Sequence, residues 1–147
     1  MRPEIPSVFA AFAADLVIRV APAITPAYHQ GTIAMIATML AIAAEEWDRA
    51  ASWRVEENQR LRELFRESLP VVVDDLRSKL ESLIETRDDD LRISSLTATN
   101  SGLRAALIEL HKLVETKESA EARKIENKIW KELLESTERR RLSFAQF

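Results

Sequence analysis

The stretch from Thr25 to Pro70, TPAYHQGTIAMIATMLAIAAEEWDRAASWRVEENQRLRELFRESLP, decides the fold. Thr25-Pro26 places a capping residue before a proline, whose fixed φ is already helical and whose missing N–H would find no partner in a first turn. No further proline occurs before Pro70, so one long helix over about residues 26–69 is predicted. At 1.5 Å per residue it would reach ~66 Å. Gly31 is the point at which its start could be set back by a turn. Ile33, Ala37, Leu40, Ala44, Trp47, Ala51, Val55, Asn58, Leu61 and Phe65 keep the three-and-four spacing of a single helix face. Asn58 is the polar member of that seam.

The flanking sequence points the same way. Two glycines and five prolines supply too few turn formers for a sandwich or barrel. A chain that is 46% hydrophobic and 31% charged is not disordered either. A first helix is predicted from near Pro6 to Ala21, stopped by Pro22. Leu69, Val73, Leu76, Leu80 and Leu83 predict a third helix of roughly 17 residues, ending at the polar cluster Arg87 to Asp90. Leu96, Asn100, Leu103, Leu107, Leu110 and Val114 continue the pattern, but Ser94, Ser95, Thr97, Thr99 and Gly102 are weak helix formers and Asn100 would itself make a cap. Helix is therefore expected from Leu103 onward, after an irregular lead-in. Ala122, Ile125, Ile129 and Leu133 resume the seam, and residues 103–142 can be one helix or two with a turn near Glu118 and Ser119. Residues 137–147, with Arg139, Arg140, Arg141, Phe144 and Phe147, are expected to be a flexible basic and aromatic tail. The prediction is an all-α, antiparallel bundle of four or five helices in a single domain over residues 1–147.

Charge is spread unevenly. The first 44 residues carry only Arg2, Glu4, Asp15 and Arg19 as charged side chains. Asp15 and Arg19 interrupt the apolar run that an export signal would need. The uninterrupted apolar stretch from Thr32 to Ala44 falls short of the ~20 residues of a membrane-spanning helix, so no span is expected. The absence of cysteine excludes disulfides and thiolate metal sites and suits a reducing, cytoplasmic setting. A net charge of −3 gives no general pull toward phosphate. Arg139 to Arg141 follow a helix in which lysines and glutamates nearly cancel, so no nucleic-acid partner is expected.

No residue pattern announces catalysis. No serine sits in a glycine-flanked elbow, and Glu45 with Arg49 and Glu56 with Arg60 stand in i,i+4 register as on a solvated face. His111 and Glu115 share a face, with His29 as a distant third group, but Glu-x-x-His spacing is missing. No catalytic, cofactor or metal residue is assigned, and an enzyme is disfavoured. What stands out is association. Trp53 is surrounded at helical spacing by Arg49, Glu56, Glu57 and Arg60, so its ring either stacks under arginine or meets a second chain. Met35, Met39 and Ile42 extend that stripe without charge. The function expected from these features is that of a noncatalytic interaction or structural bundle, a homodimer whose interface includes Met35, Met39, Ile42 and Trp53. The alternative is a bundle that binds a small apolar or aromatic ligand, with Tyr28 and His29 at its pocket.

Overall fold

A computed structural model describes residues 4–143. It is all-α, with no strand among the described residues. Helix α1 spans Ile5–Asp15 and runs on through a π-helical turn, Leu16–Val20, and a 3-10 turn, Ala21–Ala23. Helix α2 spans Ala27–Ser68, 42 residues without a break. Then follow a 3-10 turn at Leu69–Val71, α3 at Asp74–Ile84, α4 at Ile93–Glu115 and α5 at Ala120–Arg140. Phe144 and Phe147 of the expected tail lie outside the described residues, whereas Thr137 to Arg140 form the last turn of α5. Two units are distinguished: the described residues up to Ala50 with Leu142 and Ser143, and Ala51–Arg141.

The second unit holds the larger core. Leu61, Leu64 and Phe65 from the second half of α2 pack with Leu80 and Ile84 of α3, with Leu103, Ala106, Leu107, Leu110 and Val114 of α4, and with Ala122, Ile125 and Ile129 of α5. Each helix contributes residues three and four apart, so each presents a single apolar stripe inward. Pro70 ends α2, and its neighbours take an unexpected course. Val72 is extended and fully buried, and Val73 points out to solvent as the N-cap of α3. The third helix is therefore 11 residues long, shorter than the spacing of Leu69 and Val73 implied. Two extended residues shift the helical register, and the core takes Val72 in place of Val73.

Helix α4 begins ten residues before Leu103, at Ile93. Its weak helix formers are outweighed by burial, because Leu96 and Asn100 are both enclosed on its inner face. The lead-in is held by Asp90, whose carboxylate accepts the Arg92 backbone N–H at 3.1 Å and the Ser95 hydroxyl at 2.6 Å. The Arg92 guanidinium, with those contacts behind it, holds the Asp90 carboxyl well below its ordinary range. The choice between one and two helices after residue 103 resolves as two. Ser119 ends the intervening turn and caps α5, its hydroxyl accepting the Ala122 N–H at 3.0 Å.

Asn100 is not a cap but part of a buried polar chain. Its side-chain amide donates to Asn58 Oδ1 at 2.9 Å, and Asn58 Nδ2 donates to Asp88 Oδ1 at 2.8 Å. Asp88 takes a two-pronged bond from Arg62, at 2.7 and 3.2 Å, and Arg62 Nε donates to the Thr86 hydroxyl at 3.1 Å. The Arg62 and Asp88 side chains are each only 6% exposed. The series ties α2, the segment after α3 and the first turns of α4 with matched donors and acceptors.

Three variants test this packing by urea unfolding. Leu80→Ala, at a fully buried site, should cost ~2–5 kcal/mol. Asp88→Ala should cost ~3–5 kcal/mol by leaving the Arg62 charge buried without its partner. Asn58→Leu should lose stability too, by ~1–3 kcal/mol, since it strips a partner from both Asn100 and Asp88. Stability equal to the parent for Asp88→Ala and Asn58→Leu would contradict the polar chain.

Candidate functional site

The first unit is built as a helical hairpin. Helix α1 and its continuation run to Ala23, the chain reverses through Ile24 to Pro26, and α2 returns alongside. Gln30 Nε2 donates to the Ile24 carbonyl at 2.8 Å and so closes the turn. Ser7 and Ala10 of α1 line one groove with Ala41 and Ala44 of α2, as antiparallel legs require. Alanine at these positions keeps side chains short where the helices approach. At the open end, Glu45 accepts the Ser143 backbone N–H at 2.9 Å, the Ser143 hydroxyl at 2.8 Å and Arg49 at 2.7 Å. The Ser143 bonds, with Arg49 behind them, lower the Glu45 pKa.

This hairpin buries little of its apolar surface. No residue of α1 is buried, and in α2 up to Ala50 only Ile33, Ala37 and Ala50 are. Phe12, Val17 and Ile18 stand exposed on the first leg. On the second leg Tyr28 is 81%, Met35 58% and Met39 57% exposed, and these three, spaced seven and four apart, share one stripe. Ile42, the next position in register, is half-buried. The seam expected through Trp47 does not hold there. Trp47 is 62% exposed and Ala50 is buried in its stead. A half-helix apolar nearly all round offers no single face for sequence spacing to choose. By length and composition alone, Ile5–Ala23 and the apolar part of Ala27–Val71 would each suffice to cross a membrane.

The remaining expected site residues fall as follows. The Tyr28 and His29 rings meet edge to face at 5.7 Å, and both residues are exposed, so neither lines an enclosed pocket. Trp53 belongs to the second unit and is half-buried. The Arg54 guanidinium lies 4.1 Å from its ring centroid and that of Arg140, from α5, lies 4.5 Å away. Of the two roles open to Trp53 in the sequence, the structure displays stacking under arginine. Arg140 also donates to Glu57 at 2.5 Å, and Arg104 reaches the same buried carboxylate at 2.8 Å. Arg139 pairs with Glu132. Two arginines of the carboxyl-terminal run are thus engaged within the fold.

Sequence spacing gave no sign of the Glu57 and Glu132 carboxylates as buried anchors. Both sit in charged surroundings along the helix, and their guanidinium partners come from other turns or from another helix. Chemically the described surface divides into an uncovered apolar hairpin and a unit whose charges are largely matched. No family model, curated protein or solved structure matches the chain.

Glu132 gives a pH test of the ion-paired end of α5. Burial raises its pKa above the ordinary 4.5, outweighing the lowering by Arg139. A carboxyl raised in this way adds stability below the unfolded value and loses it as pH rises through the folded one. Glu132→Gln lacks that loss. In urea titrations the variant should therefore gain on the parent as pH rises from about 4 to 7. A gain in the opposite direction would show that the Arg139 pair dominates.

Proposed function

We propose that this chain is a noncatalytic, self-associating helical protein whose apolar hairpin pairs with a second copy of itself. The observation that carries this reading is the exposed stripe of Tyr28, Met35 and Met39 on the second leg, together with the exposed Phe12, Val17 and Ile18 of the first. Single chains seldom leave a continuous apolar surface of more than a few hundred Å² open to water. Methionine adapts its shape to a partner, and aromatic rings anchor such contacts. A twofold pair of hairpins forms a four-helix arrangement, in which the legs of one copy cover the outward faces of the other. Trp53, stacked against Arg54 and Arg140 in the second unit, is left out of this proposed interface.

A second copy suits the hairpin better than a lipid bilayer. Asp15 and Arg19 form an ion pair at 2.7 Å within the first leg, and Arg19 keeps 77% of its side chain exposed. A charge at bilayer depth costs ~2.5–3.5 kcal/mol per residue, whereas beside a protein partner such a pair can stay at the rim in water. The small residues along both legs, Ala10, Ala13, Ala34, Ala37 and Ala41, also allow close approach between helices.

Sedimentation equilibrium of the parent and of Met39→Glu tests this. The parent should sediment with twice the mass of one chain. The variant should sediment as a monomer with unchanged helical circular dichroism, because glutamate is a good helix former and remains solvated on a separated surface. A monomeric parent, or a parent that sediments only with phospholipid vesicles, would overturn the proposal.

A further inference from the structure

The end of α4 and the beginning of α5 bring one histidine and two carboxylates together. His111 and Glu115 stand four residues apart and share a face of α4, while Glu126 comes from the second turn of α5, across the turn that ends at Ser119. Potential ligand atoms of the three lie within 4.8 Å of one another. His111 Nε2 lies 3.5 Å from Glu115 Oε1, yet it is buried and makes no hydrogen bond. Trp130, one turn beyond Glu126, meets the imidazole edge-on with ring centroids 5.1 Å apart. A buried ring nitrogen without a partner is uncommon, because it has given up water for nothing in return. A metal ion between the two helices would supply that partner.

We propose that His111, Glu115 and Glu126 bind a single divalent ion of the zinc class. The donor set decides the class. One imidazole nitrogen with two carboxylates suits zinc and its neighbours, whereas calcium and magnesium favour oxygen throughout. Zinc bonds of ~2.0–2.2 Å place tetrahedral ligands ~3.4 Å apart. His111 and Glu115 already stand at 3.5 Å. Glu115 is half-exposed and Glu126 is partly so, and both have the rotamer freedom to close the remaining distance. The fourth position falls to water. The site ties α4 to α5 across a short turn, so the ion acts as a structural clasp and stabilises the folded chain by mass action.

The test is calorimetric titration of the full chain, cleared of metal by a chelator, with Zn(II) alone. One equivalent per chain should bind, weakened by about tenfold or more in both His111→Gln and Glu126→Gln, since even indirect partners of a metal ligand contribute that much. His29→Gln, which removes the other histidine, should bind as the parent does. Absence of saturable binding to the parent, or equal binding to His111→Gln, overturns the site. Should circular dichroism show that His111→Gln is unfolded, Glu126→Gln decides alone, and undiminished affinity there is also contrary.

Discussion

The buried ion pair between Arg62 and Asp88 is the contact on which the arrangement of the second unit depends. A guanidinium and a carboxylate that are both almost wholly enclosed must find each other and fill their remaining hydrogen-bonding positions. Asp88 does so by taking Asn58 as a third donor, and Asn58 in turn takes Asn100. The consequence is geometric. The segment after α3 has to cross the inner face of α2 so that Asp88 reaches Arg62, and α4 has to start early enough to carry Asn100 into the same row. Leucine and isoleucine packing supplies the bulk of the burial but fits many registers. The polar chain admits one, because a slip of a single residue would orphan several buried groups.

Helix α2 serves both units and illustrates two kinds of burial. Its second half has a one-sided apolar stripe and is covered by α3, α4 and α5. Its first half is apolar nearly all round, and α1 leaves most of it open. Alanine-rich legs pack closely, yet such packing buries little area per residue, so the hairpin alone cannot enclose its larger side chains. That imbalance is the physical ground on which a second copy is proposed. It also distinguishes the units, one matched internally in charge and core, the other with apolar side chains left exposed.

The fold was legible because its signals are periodic. Proline placement and the long three-and-four seam located α2 to within a residue or two, while the later seams marked helix without fixing the starts of α3 and α4 or separating α4 from α5. The errors have physical causes. Ile93 to Gly102 contains poor helix formers, and the burial of Leu96 and Asn100, with Asp90 holding the first turn, explains why they are helical. Val72 replaced Val73 in the core because the chain is extended there. Trp47, expected on the buried seam, is exposed because it lies on the half of α2 without a preferred face, whereas Trp53 stacks with Arg54 and Arg140, one of the two roles its charged neighbours left open. Of the candidate residues, Met35, Met39, Tyr28 and His29 are all exposed. Glu126 could not have been paired with His111 by spacing, since the contact depends on the turn between α4 and α5.

Hydrogen exchange at several protein concentrations tests for the proposed second copy on the hairpin, because it reads protection segment by segment. If a second copy covers the hairpin, amides between residues 5 and 44 should exchange faster as the protein is diluted, while those of Leu103 to Val114 in the core of the second unit should be unaffected. Exchange in the hairpin that does not change with concentration, from the micromolar range down to the detection limit, in a chain of single-chain mass would contradict it.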